Sequence, residues 1–359
     1  MRMKAELGFI VLPVLVLLAV AQDAPAPDSS KTGEVQLVRL LNQKLSDAAR
    51  ARDAGNWEKA IALLKEASEL GPDRDLIWFK LGDAYRGAKQ YQDAVGAYNR
   101  AIALKPIAPY YNNLGEAENK VGNVADAVEA YQAAVRLDPE KAQQYYFNIG
   151  AVETNAGNFE AGNAAYDDAI RADPNFPMPY YFKALNLLSD SQTVSGKAVV
   201  PGEASRLVQK YLELAPEGPY VETCHQVLAF VGRDIVTSYE RENSVEPSSS
   251  ARSEQGDQNV AEGVTEGFLI RKLQPSYPEL ARTARIEGTV TFGAIIGAGG
   301  NIVSLAVLSG NPFLVEAALD AVKQWKYKPY KLGGHAVSVR TEIRVNFALT
   351  PDRPRTSGL

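Results

Sequence analysis

Few side chains of this sequence could carry acid–base, nucleophilic or metal chemistry. The chain has two histidines, His225 and His335, and one cysteine, Cys224. Two histidines are too few for the usual catalytic or metal-binding arrangements, and one cysteine supports neither an intramolecular disulfide nor a cysteine-based zinc site. The adjacent carboxylates Asp167 and Asp168 fall in a helical pattern, where a solvated face is the ordinary explanation. We therefore expect a protein that is not an enzyme and needs no cofactor or metal.

Length and composition set broad limits on the class of protein. The chain has 359 residues, of which 46% are hydrophobic and 23% are charged, which is typical of globular proteins. This length allows two or three domains with cores of their own. The net charge of −5 disfavours nucleic-acid binding, which would need a basic surface.

The first residues have the pattern of a secretory signal. Arg2 and Lys4 precede an uncharged run, Leu7–Ala21, which contains Pro13 and ends in Ala-Val-Ala. This order predicts a cleaved signal peptide over residues 1–21, because a membrane span needs about 20 apolar residues. We expect an exported protein of the periplasm or cell envelope. The alternative is an inner-membrane anchor through Leu7–Ala21, and only that alternative gives the chain a membrane contact.

A long alternating segment near the C-terminus predicts a strand with one buried and one solvated face. In Val337–Leu349, odd-numbered positions are Val, Val, Thr, Ile, Val, Phe and Leu, whereas even-numbered positions from Ser338 to Asn346 are polar or charged. If this strand lies at the edge of a sheet, its unpaired backbone groups must be either protected or used for binding.

The middle of the chain contains an internal repeat. Segments such as Gly55-Asn-Trp-Glu-Lys-Ala60 recur with their last residues 34, 33 and 35 positions apart. Each copy places a bulky residue, an alanine and a proline at fixed later positions. This spacing predicts pairs of helices that approach closely at small residues, with aromatic residues filling the wider gaps. The aligned residues of the four copies are Ala60, Ala94, Ala127 and Gly162, then Leu64, Tyr98, Tyr131 and Tyr166.

This repeat resembles the tetratricopeptide (TPR) family. We predict an all-α solenoid over residues 41–240, with four clear repeats, a degenerate fifth repeat and a capping helix over Tyr220–Tyr239. The resemblance implies a concave groove that binds a peptide or protein and is lined by the first helix of each repeat. Packing between repeats is the alternative role for these side chains. The groove positions implied by the motif are Phe79, Asp83, Asn112, Asn113, Glu116, Phe147, Asn148 and Ala151.

Composition marks the connecting segments. Residues 22–40 are interpreted as a flexible lead-in and residues 241–265, which are rich in Ser, Glu, Gln and Gly, as a linker. Residues 266–351 are then expected to form a small α+β domain, followed by a tail over 352–359. Its predicted order is a short helix, a hairpin with a turn at Gly297–Asn301, a helix that begins at Asn311-Pro312, and the closing strand.

The landmarks of this last domain resemble the C-terminal domain of the TonB family. They are Tyr277-Pro278, Ile286-Glu-Gly-Thr-Val290, Gly299-Gly300, Ser309-Gly310, Ala317-Ala318, Trp325-x-Tyr327-x-Pro329 and Phe347-x-Leu349. The resemblance implies that the closing strand pairs with a peptide segment of an outer-membrane transporter. The residues implied in this binding are Val339, Arg340, Thr341, Glu342, Ile343, Arg344, Val345 and Phe347.

Two functional hypotheses follow. The first is a TonB-like envelope protein that binds transporter peptides by strand addition, while its repeats dock a second protein, in support of transport across the envelope. The second is a secreted TPR scaffold or assembly adaptor with no role in energy transduction. The TonB family couples energy through a retained transmembrane helix containing a histidine, and Leu7–Ala21 has no histidine.

Overall fold

The computed structural model describes residues 29–241, 258–259 and 268–349. The predicted signal peptide, the predicted tail and most of the predicted linker lie outside these ranges. The chain divides into two compact units between Gln90 and Tyr91.

The described part of the first unit, from Ser29 onward, consists of three helices around a small apolar core. Leu41, Ala67 and Ile77 are the buried residues of that core. The first helix begins at Ser29, so part of the segment predicted as a flexible lead-in is helical. Its residues from Glu34 to Asp53 include no glycine or proline, which favours a helix over that stretch. The helices are α1 (Ser29–Asp53), α2 (Trp57–Leu70) and α3 (Asp75–Gly87).

The second unit begins with helices that pair as the repeat predicts. Gly115 lies against Tyr131, and Gly150 lies against Tyr166. A Cβ atom at Gly115 would lie 2.9 Å from Cζ of Tyr131, so this close approach requires glycine. The helices in chain order are α4 (Tyr91–Leu104), α5 (Ala108–Val121), α6 (Val124–Leu137), α7 (Ala142–Asn155), α8 (Phe159–Ala172) and α9 (Met178–Leu187).

The degenerate fifth repeat contains a small hairpin between its helices. The capping helix was predicted to reach Tyr239, but it ends at Phe230 because the chain turns at Gly232, where φ is +71°. The Gly232 N–H then donates to the carbonyl oxygen of Ala198 in the hairpin, at 2.9 Å. The elements are β1 (Gln192–Val194), β2 (Lys197–Val199), α10 (Gly202–Leu214) and α11 (Val221–Phe230).

The C-terminal region has the predicted order of short helix, hairpin, helix and strand. Asn311 caps the longer helix as expected, since its Oδ1 accepts a hydrogen bond from the Phe313 N–H at 3.0 Å. The elements in chain order are β3 (Ser238–Glu240), β4 (Gln258–Asn259), β5 (Leu269–Arg271), α12 (Glu279–Thr283), β6 (Gly288–Ile296), β7 (Ile302–Ser309), α13 (Pro312–Val322), β8 (Lys326–Tyr327), β9 (Lys331–Leu332), β10 (His335–Ala336) and β11 (Val339–Phe347).

The main sheet has the strand order β3-β7-β6-β11-β4. The hairpin partners β6 and β7 are antiparallel, and β11 is antiparallel to β6 along its whole length, from the Val339–Ile296 pair to the Phe347–Gly288 pair. The outer strands are short. Strand β3 pairs with β7 through three residues, and β4 pairs with β11 through two.

One apolar core joins the last repeat to the C-terminal sheet. It contains Tyr181 and Val227 from the helices together with Phe292 and Leu314 from the sheet and its covering helix. The rings of Phe230 and Phe313 also meet across this boundary, with centroids 4.3 Å apart. The C-terminal sheet therefore packs directly on the end of the helical region.

Candidate functional site: the outer edge of strand β11

Strand β11 has the alternating burial that the sequence predicts. Val339 is 2% exposed and Phe347 is 3% exposed, and the residues between them alternate strictly between buried and exposed. On the inner face, Ile343 lies opposite Phe292 of β6, and Val345 lies opposite Val290. These four side chains belong to the apolar core. Burial of this face fixes the register of β11, because a shift by one residue would expose the whole apolar set.

The outer face of β11 carries both signs of charge. Arg340, Glu342, Arg344 and Asn346 are exposed. Arg344 Nη2 lies 3.5 Å from Glu342 Oε2, and both side chains are more than half exposed, so this ion pair contributes little stability. The outer face therefore offers charged groups that could select a partner without changing the core.

The edge of β11 that faces away from β6 has only a short described neighbour. Strand β4 runs parallel to β11 and pairs with Val339 and Arg340 alone. The pairing with β4 therefore lies at the start of β11, on the side of the strand to which the sequence predicts that a peptide strand is added.

Tyr277 fixes the end of β11. Its hydroxyl donates to the carbonyl oxygen of Ile286 at 2.6 Å, and its ring meets that of Phe347 edge-on, with centroids 5.4 Å apart. Burial of the phenol, reinforced by the Glu287 carboxylate, raises the pKa of Tyr277 above its usual value. The Tyr277-Pro278 landmark thus has a structural role, because it holds the last residue of the strand.

Trp325 and the glycine turn hold the opposite end of the sheet. The Trp325 Nε1–H donates to the carbonyl oxygen of Leu273 at 2.8 Å. Gly300 has φ of +78°, and a side chain there would collide with the carbonyl oxygen of Tyr327. The Tyr327 N–H in turn donates to the Gly300 carbonyl at 2.8 Å. Both landmarks therefore serve the framework that positions β11.

The structure brings together several predicted groove residues on α5 and α7. The Asn148 Nδ2 group donates to Asn112 Oδ1 at 3.1 Å, and the Asn112 Nδ2 group donates to Asn113 Oδ1 at 3.2 Å. Glu116 and Ala151, one turn further along the same two helices, are half-buried. These contacts satisfy part of the hydrogen-bonding capacity of the asparagines within the repeats themselves.

Phe147 forms the apolar part of this surface. Its ring lies 5.4 Å from that of Phe182 and 5.6 Å from that of Phe176, both in edge-on geometry. All three rings are half-buried, so each keeps some exposed area. Phe79 and Asp83 lie on α3 in the first compact unit, and both are also half-buried.

Sequence reasoning missed a polar cluster around the fifth repeat. Lys183 is 8% exposed and its Nζ lies 2.7 Å from both Asp167 and Glu203. Burial alone would lower the pKa of Lys183, but hydrogen bonds to the two carboxylates hold it above its usual value. Asp168 pairs instead with Arg171 on its own helix. The sequence around Lys183 contains no local pattern that predicts this role.

The described residues include no group of three or more His, Cys, Asp and Glu side chains that could hold a metal ion. In the same ranges, no helix has the length and apolar character needed to cross a membrane. The apolar run Leu7–Ala21 lies outside them.

Comparison with known proteins decides what the C-terminal region is. Residues 273–349 match the family described as Gram-negative bacterial TonB protein C-terminal. This region is a TonB-type C-terminal domain. Residues 47–112 and 112–177 match the family described as tetratricopeptide repeat. The chain therefore places TPR repeats before a TonB-type C-terminal domain, as the sequence predicts.

Individual relatives match only parts of the chain. Protein TonB of Vibrio cholerae serotype O1 is 39% identical over 84 residues, which is 23% of this chain and 34% of that protein. Protein TonB of Xanthomonas campestris pv. campestris is 35% identical over 77 residues, or 21% of this chain and 34% of that protein. The chain thus spans about a third of the length of these curated relatives. A crystal structure of MamA protein aligns with 51% of this chain at 22% identity and a TM-score of 0.43.

Proposed function

We propose that this protein is a TonB-like, non-enzymatic envelope protein whose TonB-type C-terminal domain binds transporter peptides by strand addition at β11. The observation that carries the proposal is the match of residues 273–349 to the TonB C-terminal family, together with the one-sided burial of β11, whose outer edge lies toward the short strand β4. An added strand would gain main-chain hydrogen bonds along this edge. Because only one face of β11 is buried, such a partner could bind without disturbing the core.

Specificity in this proposal comes from the outer face. Arg340, Glu342 and Arg344 present alternating positive, negative and positive charges along the strand. A partner strand with the complementary order of charges would place opposite charges beside each other, which favours pairing by about 0.2–1 kcal/mol for each cross-strand pair. The partner assigned to this edge is the N-terminal segment of an outer-membrane transporter of the TonB-dependent class.

The TPR repeats supply a second protein-binding surface in this proposal. Phe147 and Phe182 give an apolar centre on the helices α7 and α9, and the asparagines Asn112, Asn113 and Asn148 give amide groups beside it. Aromatic residues with neighbouring polar groups are common features of protein-binding surfaces. The docked partner would be a peptide or protein segment that offers apolar side chains and main-chain hydrogen-bonding groups.

Disulfide trapping tests the strand-addition proposal in the full chain. In a Cys224→Ala background, Glu342→Cys places a thiol on β11, and Ser238→Cys places one on β3 at the opposite edge of the sheet as the matched control. The probes are synthetic peptides with the N-terminal segments of the source organism's outer-membrane transporters, each with a cysteine at successive positions. Trapping by Glu342→Cys at every second peptide position, above the level of the Ser238→Cys control, supports strand addition. Equal trapping at both edges would contradict it.

Energy transduction needs a retained N-terminal anchor. The intact mass of the exported protein decides this point, since a chain that begins at Gln22 has lost Leu7–Ala21. That result would exclude the force-transducing version and favour the alternative, an exported scaffold that binds without transmitting energy. The strand-addition test is unaffected by either outcome.

A further inference from the structure

A basic cleft lies between the C-terminal end of α13 and the turn that joins β6 to β7. It has a volume of about 470 Å³ and is lined by the cationic residues Arg241, Arg271, Lys323 and Lys326, together with Asn301 and Trp325. No Asp or Glu is among its lining residues. This volume falls within the range of small-molecule sites, which is roughly 300–1,000 Å³.

The four cations come from four separate segments of the fold. Arg241 directly follows β3, Arg271 ends β5, Lys323 follows α13, and Lys326 lies in β8. The fold therefore gathers these charges in space, although they are scattered along the sequence. A cleft whose charged lining residues are all cationic favours an anionic ligand over a cationic one.

Two lysines of the cleft have partners within the fold, and these partners differ in strength. Lys326 Nζ donates to the Gly299 carbonyl at 2.9 Å and to Asn301 Oδ1 at 2.6 Å, which leaves one of the three ammonium hydrogens for a ligand. Lys323 pairs with Asp320 on α13, and both of these side chains are at least a third exposed, so an anion could compete for this lysine. Lys272 adds a further cation beside the cleft, with its Nζ 5.2 Å from the centroid of the Trp325 ring.

We propose that this cleft binds the phosphate group of a ligand that carries at least two negative charges. Guanidinium groups present paired N–H donors that match phosphate oxygens, and lysine ammonium groups add point charges. The cleft is larger than one phosphate group requires, so it also accepts part of the organic moiety attached to it. The site is separate from the outer edge of β11 and does not depend on strand addition there.

Isothermal titration calorimetry of the full chain with inorganic pyrophosphate at low salt tests the proposal. The double variant Arg271→Gln/Lys326→Gln should bind pyrophosphate at least about tenfold more weakly, because it removes charge-assisted hydrogen bonds. The matched control, Arg136→Gln/Lys331→Gln, removes the same charges from exposed positions outside the cleft and should bind like the parent. The single variant Arg271→Gln, which leaves the Lys326 anchor intact, should also weaken binding and should melt at the parent temperature.

A second experiment distinguishes the two possible sources of the phosphate group, a lipid headgroup and a soluble phosphate ester. Sedimentation measures binding of the protein to phosphatidylcholine vesicles that contain phosphatidic acid. If this binding is lost in the double variant and kept in the control variant, the site is assigned to a lipid headgroup. Pyrophosphate binding without vesicle binding would assign it to a soluble phosphate ester. The proposal is overturned if neither probe binds, if the control loses as much affinity as the double variant, or if citrate binds as tightly as pyrophosphate.

Discussion

Arg285 of the TonB-type domain donates a hydrogen bond from Nη1 to the carbonyl oxygen of Asn155, the last residue of α7, at 3.3 Å. The same nitrogen lies 3.5 Å from the Thr154 carbonyl. A cation here donates to the carbonyl of the last helical residue, which has no donor within the helix, and interacts favourably with the helix dipole. Arg285 thus ties the C-terminal domain to the repeat that carries Phe147 and Asn148.

Two substitutions of Arg285 should distinguish the contribution of backbone strain to stability from that of this hydrogen bond. Arg285 has φ of +52°, a conformation that glycine adopts without cost and alanine does not. Arg285→Gly and Arg285→Ala both remove the contact with α7, but Arg285→Ala should be the less stable by about 1–2 kcal/mol. Urea denaturation measures both values. Equal stability of the two variants would contradict a strained backbone at this position.

Proline substitutions should distinguish the two edges of β11. Successive residues of a strand direct their N–H groups to opposite sides, so one of Glu342→Pro and Ile343→Pro removes a donor from the outer edge and the other removes one that faces β6. We expect the outer-edge variant to remain folded and to lose transporter-peptide binding by about tenfold or more, since an added strand loses main-chain hydrogen bonds. Circular dichroism identifies the folded variant, and fluorescence anisotropy with a labelled peptide measures its affinity.

The same proline pair contains its own control for stability. Glu342 is exposed and Ile343 is buried, so Ile343→Pro also removes core packing. Ile343→Ala removes that packing while keeping the N–H group. If the folded proline variant binds peptide as tightly as the parent does, the outer edge of β11 is not the binding surface.

Gly150→Ala should destabilise the fourth repeat. The added methyl group would collide with the Tyr166 ring, and overpacking of this kind costs about 1–3 kcal/mol. Gly96→Ala in α4 is the matched control, because a Cβ atom there meets no atom within 4 Å. That change should stabilise the helix by up to about 1 kcal/mol. Thermal denaturation measures both changes in melting temperature relative to the parent. Changes of the same sign in the two variants would contradict the close packing of Gly150 on Tyr166.

Cys224 should be unreactive in the folded protein. It is 0% exposed, and burial raises the pKa of its thiol from 9.0 to about 12. Ellman's reagent at pH 8 should therefore modify it only after unfolding in urea. Rapid modification without denaturant would show that the helices around Cys224 open readily.

The same pKa shift predicts loss of stability at alkaline pH. A thiol with a raised pKa holds its proton more tightly in the folded chain, so folding is favoured below pH 9 and this contribution is lost as the pH rises toward 12. Tyr166 and Tyr181 act in the same direction, since burial raises the pKa of each to about 12. The melting temperature of the parent should fall over this pH range, and the melting temperature of Cys224→Ala should fall less steeply.

Local patterns in the sequence were sufficient for much of the fold. The alternation from Val339 to Phe347 predicted the buried face of β11, and Asn311-Pro312 predicted the start of α13. Both signals depend on residues that are neighbours in the sequence. The close approach of paired helices at small residues also followed from a repeated spacing, and the contact of Gly150 with Tyr166 is an example of it.

The remaining features depend on partners far apart in the chain. Strand β3 was predicted as the end of a helix, but Tyr239 pairs with Leu305 of β7, and the three residues of β3 have no strand pattern of their own. Arg285 reaches the end of α7 across more than a hundred residues. The cations of the basic cleft are brought together by the same long-range pairings, so sequence spacing alone did not reveal them. The binding roles of β11 and of the repeat surface stay predictions.

The pairing of β3 with β7 changes how this protein can be divided. The TonB family match begins at residue 273, whereas the sheet it describes receives a strand from Ser238–Glu240, and Phe313 rests on Phe230 of the helical region. A fragment cut at the family boundary would leave an unprotected strand edge on β7 and an uncovered aromatic surface on α13. In this protein, the unit that can be transplanted, expressed alone or exchanged by recombination therefore includes the last repeat as well as the TonB-type domain.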